Sequence, residues 1–215
     1  MLAFEMSTIM SLADRWSGQF TTDEEWWRQV GRQAGVRTIG FSEYGRPLLG
    51  AIIGYGSRHA TLIGGSHADE PVGPETLRLL IAAAARREPA MEAVLQRWRL
   101  WVVPHVNPDG EQSNQIWIKQ WPLVDAFLSH SMREPPGRDL EFGFPAMRPE
   151  NAAVTAFLAS AAPISLHMSL HGMAFSEGVT LLIERKWATR TIALRNAFSR
   201  TVTLCGMNLQ DEDRC

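Results

Sequence analysis

The chain has 215 residues, of which 45% are hydrophobic and 20% are charged, values typical of a folded globular protein. Its 21 basic and 23 acidic residues give a net charge of -2, which argues against a nucleic-acid partner because phosphate binding needs a basic surface. No uncharged apolar run approaches the roughly 18 residues of a membrane helix. With only two cysteines, a disulfide framework is excluded.

Residues 1–16 contain no basic segment and no convincing small-residue cleavage site. We therefore expect no signal peptide and a cytoplasmic location. The length is compatible with one domain over residues 1–215. Since nucleic acids and membranes are disfavoured, the expected partner is a small molecule or a peptide.

The predicted elements alternate between strands and helices. Thr22 and Glu25 form a capping-box pattern that predicts a helix over residues 23–33. Strands are predicted at 36–41, 48–55, 60–63, 100–103, 164–170 and 179–184, and helices at 74–87, 90–98, 150–161 and 188–204. This alternation indicates an α/β fold with a largely parallel sheet. The segment 107–148 is irregular apart from short helices predicted at 116–121 and 124–128, and so long an irregular segment is usually functional.

A loop between the strand at 60–63 and the helix at 74–87 carries two metal-binding side chains. His67 and Glu70 lie three positions apart, beyond the carboxyl end of a strand, where open α/β sheets bind ligands. An imidazole nitrogen and a carboxylate oxygen are common zinc ligands. Taken alone, such a short pattern is more typical of an exposed loop.

A third ligand is expected from another strand end. His171 follows the predicted strand at 164–170, and His167 lies on the same face of that strand because side chains alternate. Only His171 lies at the carboxyl end, so we prefer it as the ligand and interpret His167 as a packed histidine. His105, after the strand at 100–103, could line the same crevice. Two imidazoles and one carboxylate leave one position of tetrahedral zinc free, as in catalytic sites.

Five fragments in order resemble the zinc carboxypeptidase family. They are GRPL at 45–48, GGSHADEP at 64–71, VPHVNPDG at 103–110, RPEN at 148–151 and SLHG at 169–172. The resemblance implies an α/β/α sandwich around a mixed, mostly parallel sheet. It also implies one Zn²⁺ held by His67, Glu70 and His171, and hydrolysis of a peptide or amide bond by metal-activated water.

One stretch within the irregular segment departs from the family. Asp139 matches an aspartate that orients a histidine ligand from outside the metal's own shell. Glu141 and Phe142, however, stand where the family has an asparagine and an arginine that hold the substrate's terminal carboxylate. Phenylalanine cannot replace a bidentate arginine. Ordinary carboxypeptidase specificity is therefore not expected.

A second arginine of the family, which polarises the scissile carbonyl, is also replaced. Ile118 occupies its position beside Lys119. The cationic residues that could take over either arginine's role are Lys119, Arg133, Arg138 and Arg148.

The family's general-base glutamate normally lies well beyond the third ligand. Glu177 and Glu184 are too close to His171 to match it, and Glu212 lies in a polar tail. The resemblance therefore predicts that this base lies beyond Cys215 and that the fold is incomplete at the C-terminus. Because loss of a general base typically costs about 10²–10⁴-fold in rate, weak or absent hydrolysis is expected from this chain alone.

Two alternatives are compatible with the same residues. A deacylase of the succinylglutamate desuccinylase or aspartoacylase type has a similar ligand pattern and acts on N-acyl amino acids, and the spacing from His171 to GVTL at 178–181 resembles it. The other alternative is a non-catalytic metal-binding remnant that lacks the general base.

Overall fold

The computed structural model of the protein describes residues 16–32, 34–135, 137–138, 140–141, 143, 146–173 and 176–210. Its contacts divide the chain into two units, Met1–Gly172 and Met173–Cys215. Among the described helices, none combines the length and the apolar character that crossing a membrane requires.

The first unit alternates strands with helices. Its strands are β1 (Arg37–Phe41), β2 (Pro47–Ile53), β3 (Arg58–Gly64), β4 (Trp98–Val103) and β5 (Ile164–Leu170). Its helices are α1 (Asp23–Trp26), which a π-helical turn continues over Trp27–Gly31, α2 (Val72–Ala85), α3 (Pro89–Arg97), α4 (Pro108–Ser113), α5 (Gln115–Ile118), α6 (Val124–His130) and α7 (Pro149–Ala159). The second unit contains a 3₁₀ turn at Arg185–Trp187 and helix α8 (Ile192–Leu204).

The five strands form one mixed sheet in the order β1-β2-β4-β3-β5. Strand β3 runs parallel to both β4 and β5, whereas β2 is antiparallel to β1 and β4. The predicted α/β fold with a mixed sheet is confirmed. Because β3, β4 and β5 run in one direction, their carboxyl ends meet at the same edge of the sheet.

Both faces of the sheet are covered, and alternate residues of each strand point to opposite faces. On one face, helices α2 and α3 contribute Leu77, Ile81, Met91 and Leu95 to a core with Ala60, Leu62, Leu100 and Val102. On the other face, Phe157 of α7 packs with Trp101 and Val103. The predicted sandwich therefore follows from a sheet that is apolar on both sides.

The structure corrects the predicted element boundaries near the chain ends. The predicted strand at 179–184 is wrong. Within the described residues, Val179 makes one isolated bridge, to Leu209, and no ladder continues from it. Apolar character alone does not make a strand, since a ladder needs a partner along its length. The predicted helix at 188–204 begins only at Ile192. The capping box of Thr22 is confirmed, although helix α1 ends at Trp26.

A buried ion cluster holds the segment before α1 against the core. The Arg78 guanidinium donates to Asp23 Oδ1 at 2.6 and 2.9 Å, and it also bonds Glu111 and the Thr21 carbonyl. Glu75 lies 3.7 Å away and accepts from the Thr21 backbone. Arg78 is only 2% exposed. Charged side chains so deeply buried are normally paired, as these are.

Candidate metal centre

The parallel pairing of β3 with β5 brings the metal-binding side chains together. Gly64 and Leu170 are partners at the carboxyl ends of the two strands. His67 lies on the turn that follows Gly64, and His171 directly follows Leu170. Glu70 lies at the end of the same turn, just before helix α2. The three candidate ligands therefore reach one edge of the sheet from two neighbouring strands.

The donor atoms of these three residues converge. The two Nδ1 atoms of His67 and His171 lie 3.3 Å apart, and each is 2.9 Å from a different carboxylate oxygen of Glu70. A tetrahedral zinc with ligands at 2.0–2.1 Å separates its donor atoms by about 3.3 Å. The arrangement therefore fits a metal ion, and all three residues can offer a ligand atom within one small group.

Electrostatics favour a charged Glu70 at this position. Burial alone would raise its pKa, but the hydrogen bond to His171 and the neighbouring charge of His67 lower it below the ordinary value. The backbone N–H of Gly172 also donates to Glu70, at 3.2 Å. In return, the hydrogen bond to Glu70 raises the pKa of His171. A carboxylate that is ionised at neutral pH is the form that binds a cation.

Two glycines allow the close approach on which this geometry depends. Gly65 has a positive φ of +73°, and a Cβ there would lie 2.5 Å from the ring of His105. A Cβ at Gly73, in the first turn of α2, would lie 2.6 Å from the carbonyl oxygen of Leu170. Without these side chains, α2 packs directly against the end of β5, which brings Glu70 to His171.

The other candidate histidines lie outside this group. His167 is in the middle of β5, where its Nδ1 lies 2.7 Å from the Thr61 hydroxyl, and burial lowers its pKa. His105 is buried, its Nδ1 accepting from the backbone N–H of Asn107 at 3.1 Å. The structure thus brings His171, and not His167, to His67. Asp139 and Phe142 lie outside the described residues.

His105 is expected to make the protein less stable in acid. Burial lowers its pKa from 6.5 to about 3, so between these values the unfolded chain binds a proton that the folded chain does not. Stability therefore falls as the pH falls through this window, by up to about 1.4 kcal/mol per pH unit. Urea unfolding at pH 6.5 and pH 5 checks this against His105→Gln, which should show a smaller loss. Equal losses in the two proteins would assign the acid sensitivity to other groups.

Of the four cationic residues considered above, Arg133 lies at the candidate site. Its Nε donates to Asp69 Oδ1 at 3.0 Å, and its guanidinium also bonds Glu70. The side chain is nevertheless 51% exposed. Arg138 pairs with Glu43. Arg148 is buried in ion pairs with Glu134 and Glu150, and Lys119 is exposed after α5.

Sequence reasoning missed one neighbour of the imidazoles, Glu141. Its carboxylate lies 3.4 Å from the Nε2 atoms of both His67 and His171. The departure from the family pattern at this position is the signal that could have drawn attention to it.

Comparison with known proteins identifies the family. The sequence profile of the zinc carboxypeptidase family matches residues 24–176, which include all three converging residues. The chain therefore belongs to the zinc carboxypeptidase family, whose members hold one zinc ion, and the donor set described above fits that ion. A search of curated proteins gave no match.

Several solved structures share the fold. Bovine thrombin-activatable fibrinolysis inhibitor, solved in complex with tick carboxypeptidase inhibitor, is 16% identical with a TM-score of 0.61, covering 88% of this chain and 74% of its own. A metallo-carboxypeptidase from Pseudomonas aeruginosa is 20% identical with a TM-score of 0.62, covering 91% and 52%. Carboxypeptidase A from Helicoverpa armigera is 12% identical with a TM-score of 0.62, covering 94% and 60%. The chain thus spans between about half and three quarters of the length of these proteins.

Proposed function

We propose that this chain carries the metal centre of a zinc-dependent hydrolase that cleaves peptide or amide bonds, with His67, Glu70 and His171 as the zinc ligands. The observation that carries the proposal is the convergence of two Nδ1 atoms and one carboxylate at the ends of β3 and β5. Zinc bound by three protein ligands supplies a Lewis acid that polarises a carbonyl and activates water.

The side chains of the site determine its net charge and how far a substrate can reach it. Two neutral imidazoles and one carboxylate leave a bound Zn²⁺ with a net positive charge, which favours a carbonyl oxygen as a further neighbour. The imidazole of His171 is 30% exposed and that of His67 is 19% exposed. The ligand group is therefore open to solvent on one side, as entry of a substrate requires.

Arg133 is part of the same proposal, as a residue that faces the substrate. A guanidinium has five N–H donors, and the bonds to Asp69 and Glu70 use only part of them. The Arg133 side chain is half exposed and lies beside the candidate metal ligands. Its remaining N–H groups would therefore donate to a substrate oxygen. This placement supports Arg133 over Lys119, Arg138 and Arg148 for the role.

A peptide is the proposed substrate, and an N-acyl amino acid is the alternative. The family match favours the peptidase class, whereas Glu141 in place of the family asparagine disfavours ordinary recognition of a terminal carboxylate. A cytoplasmic location also stays a proposal, based on the composition of the N-terminal residues.

The test is zinc-dependent hydrolysis by the purified protein. Loaded with one equivalent of zinc, it is assayed with blocked dipeptides, peptide amides and N-acyl amino acids. Slow peptide turnover is expected that stops with a chelator, returns with zinc and is lost in His171→Ala, while Glu24→Gln, at an exposed carboxylate, matches the wild type. Preference for N-acyl amino acids would favour a deacylase. Zinc binding without any turnover would favour a non-catalytic remnant, and turnover that survives chelation would contradict the proposal.

A further inference from the structure

Two consecutive residues of the irregular segment, Arg133 and Glu134, have separate sets of partners. Arg133 bonds Asp69 and Glu70, on the loop that carries the candidate metal ligands. Glu134 precedes Pro135. A residue before proline is restricted to extended backbone, in which consecutive side chains point to opposite sides. The direction of the Arg133 side chain therefore depends on how Glu134 is held.

Two buried side chains hold Glu134. Its Oε1 accepts from Asn107 Nδ2 and from Arg148 Nη1, at 3.0 Å in both cases. Asn107 is 0% exposed and Arg148 is 7% exposed. Arg148 is itself held by Glu150, whose Oε1 accepts from its Nη2 at 3.0 Å. Because hydrogen bonds between charged groups are stronger than neutral ones, Glu134 fastens the backbone next to Arg133 to the protein interior.

The bonds of Glu134 also lead back to the loop of the candidate metal ligands. Asn107 Oδ1 accepts from the backbone N–H of Gly110 at 2.9 Å, in the first turn of α4. Helix α4 packs closely on the loop, since a Cβ at Gly110 would lie 2.4 Å from the Cβ of Ala68. Arg133 and Glu134 are therefore connected to the same loop, the first directly and the second through α4.

We infer that Glu134 is a positioning residue, which holds the Arg133 guanidinium beside the metal centre for contact with the substrate. The inference rests on the proposed function, in which Arg133 donates to a substrate oxygen. The Arg133 side chain is 51% exposed, and an arginine has much rotamer freedom to lose when it is ordered. Holding the backbone at its base removes part of this freedom before the substrate binds, which lowers the entropic cost of binding.

The ion cluster around Arg148 provides a matched control. A further carboxylate, that of Glu43, lies 3.5 Å from Arg148 and also pairs with Arg138. The side chains of Glu43 and Glu134 are similarly exposed, at 29% and 20%, but Glu43 lies between β1 and β2 and not beside Arg133 in the chain. Glu43→Gln therefore removes a negative charge from the same cluster without releasing the backbone next to Arg133.

The Nε–H group of Arg133 reports the position of this side chain without a substrate. Its exchange with water is measured in the ¹⁵N-labelled full chain, with and without added zinc, and its signal is assigned by its loss in Arg133→Lys. Glu134→Ala should make this exchange about tenfold faster, because the charged hydrogen bond to Asp69 that protects the proton becomes weaker. Glu134→Gln, which keeps Oε1 as an acceptor, should have an intermediate rate. Glu43→Gln should match the wild type.

Kinetics of the zinc-loaded protein test the consequence for the substrate. Glu134→Ala should raise the KM for a peptide by about 2–10-fold, the cost of ordering one more side chain during binding, with a smaller change in kcat. In an Arg133→Ala background, the same substitution should leave the KM within about twofold, because the residue that Glu134 positions is absent. Equal effects in the two backgrounds would indicate a purely structural role and overturn the inference.

The exchange measurement separates this inference from the proposed function. The urea midpoint shows whether Glu134→Ala is folded, and if it is not, the comparison of Glu134→Gln with Glu43→Gln decides. Unchanged Arg133 Nε–H exchange in the folded Glu134 variants, or equally fast exchange in Glu43→Gln, would overturn the inference even if the wild type is active. A wild type that neither binds zinc nor turns over a peptide would instead overturn the proposed function and the substrate role of Arg133. Faster exchange in Glu134→Ala alone would then still show that Glu134 holds this side chain.

Discussion

His67→Ala is expected to abolish stoichiometric zinc binding. The substitution removes one of three converging donors and leaves one imidazole and one carboxylate, too few to hold zinc in a tetrahedral site. The loss should exceed the 10–100-fold weakening that follows removal of an outer partner, so we expect the zinc Kd to rise by more than about 100-fold. Metal analysis after dialysis should find about one zinc per chain in the wild type and almost none in the variant.

A histidine within β5 provides a matched control for this prediction. His167→Ala removes the same type of side chain, but His167 bonds Thr61 and lies outside the converging group. Its zinc content should remain that of the wild type. The opposite result, with zinc lost in His167→Ala and retained in His67→Ala, would show that the ligands have been assigned to the wrong strand positions.

The convergence of the site is predictable from sequence because it depends on strand direction alone. Parallel strands end at the same edge of a sheet, so residues that follow β3 and β5 must approach each other. His67 and His171 are such residues, and the register pair of Gly64 with Leu170 is the observation that fulfils the expectation. The choice of His171 over His167 depends on the same argument.

Other features depend on contacts that no local pattern encodes. Glu141 and Arg133 come from an irregular segment, whose path is determined by tertiary packing and not by periodicity. The apolar run after Val179 resembles a strand, but a strand exists only where a neighbour pairs with it, and Leu182 is 90% exposed. Periodicity therefore predicts elements that pack on the sheet better than it predicts loops and edges.

Replacing Arg78 with methionine is expected to lower the free energy of unfolding far more than replacing an exposed arginine does. The cation lies between Asp23 and Glu111, and all three side chains are buried. Removal of one partner leaves buried charge without compensation, which typically costs about 3–5 kcal/mol. Urea unfolding should show this loss as a lower midpoint. Arg28→Ala, which breaks an exposed pair with Glu24 at 3.5 Å, should cost less than about 1 kcal/mol.

The pH dependence of the loss and a second substitution show whether Arg78→Met destabilises the protein through uncompensated charge or through lost packing. Burial raises the pKa of Asp23 even with Arg78 beside it, so without the cation Asp23 should protonate more readily. The penalty of Arg78→Met should therefore be smaller at pH 5 than at pH 8, and Arg78→Met combined with Glu111→Gln should be more stable than the sum of the two single effects predicts. A penalty that is independent of pH and strictly additive would identify lost packing, and not uncompensated charge, as the cause.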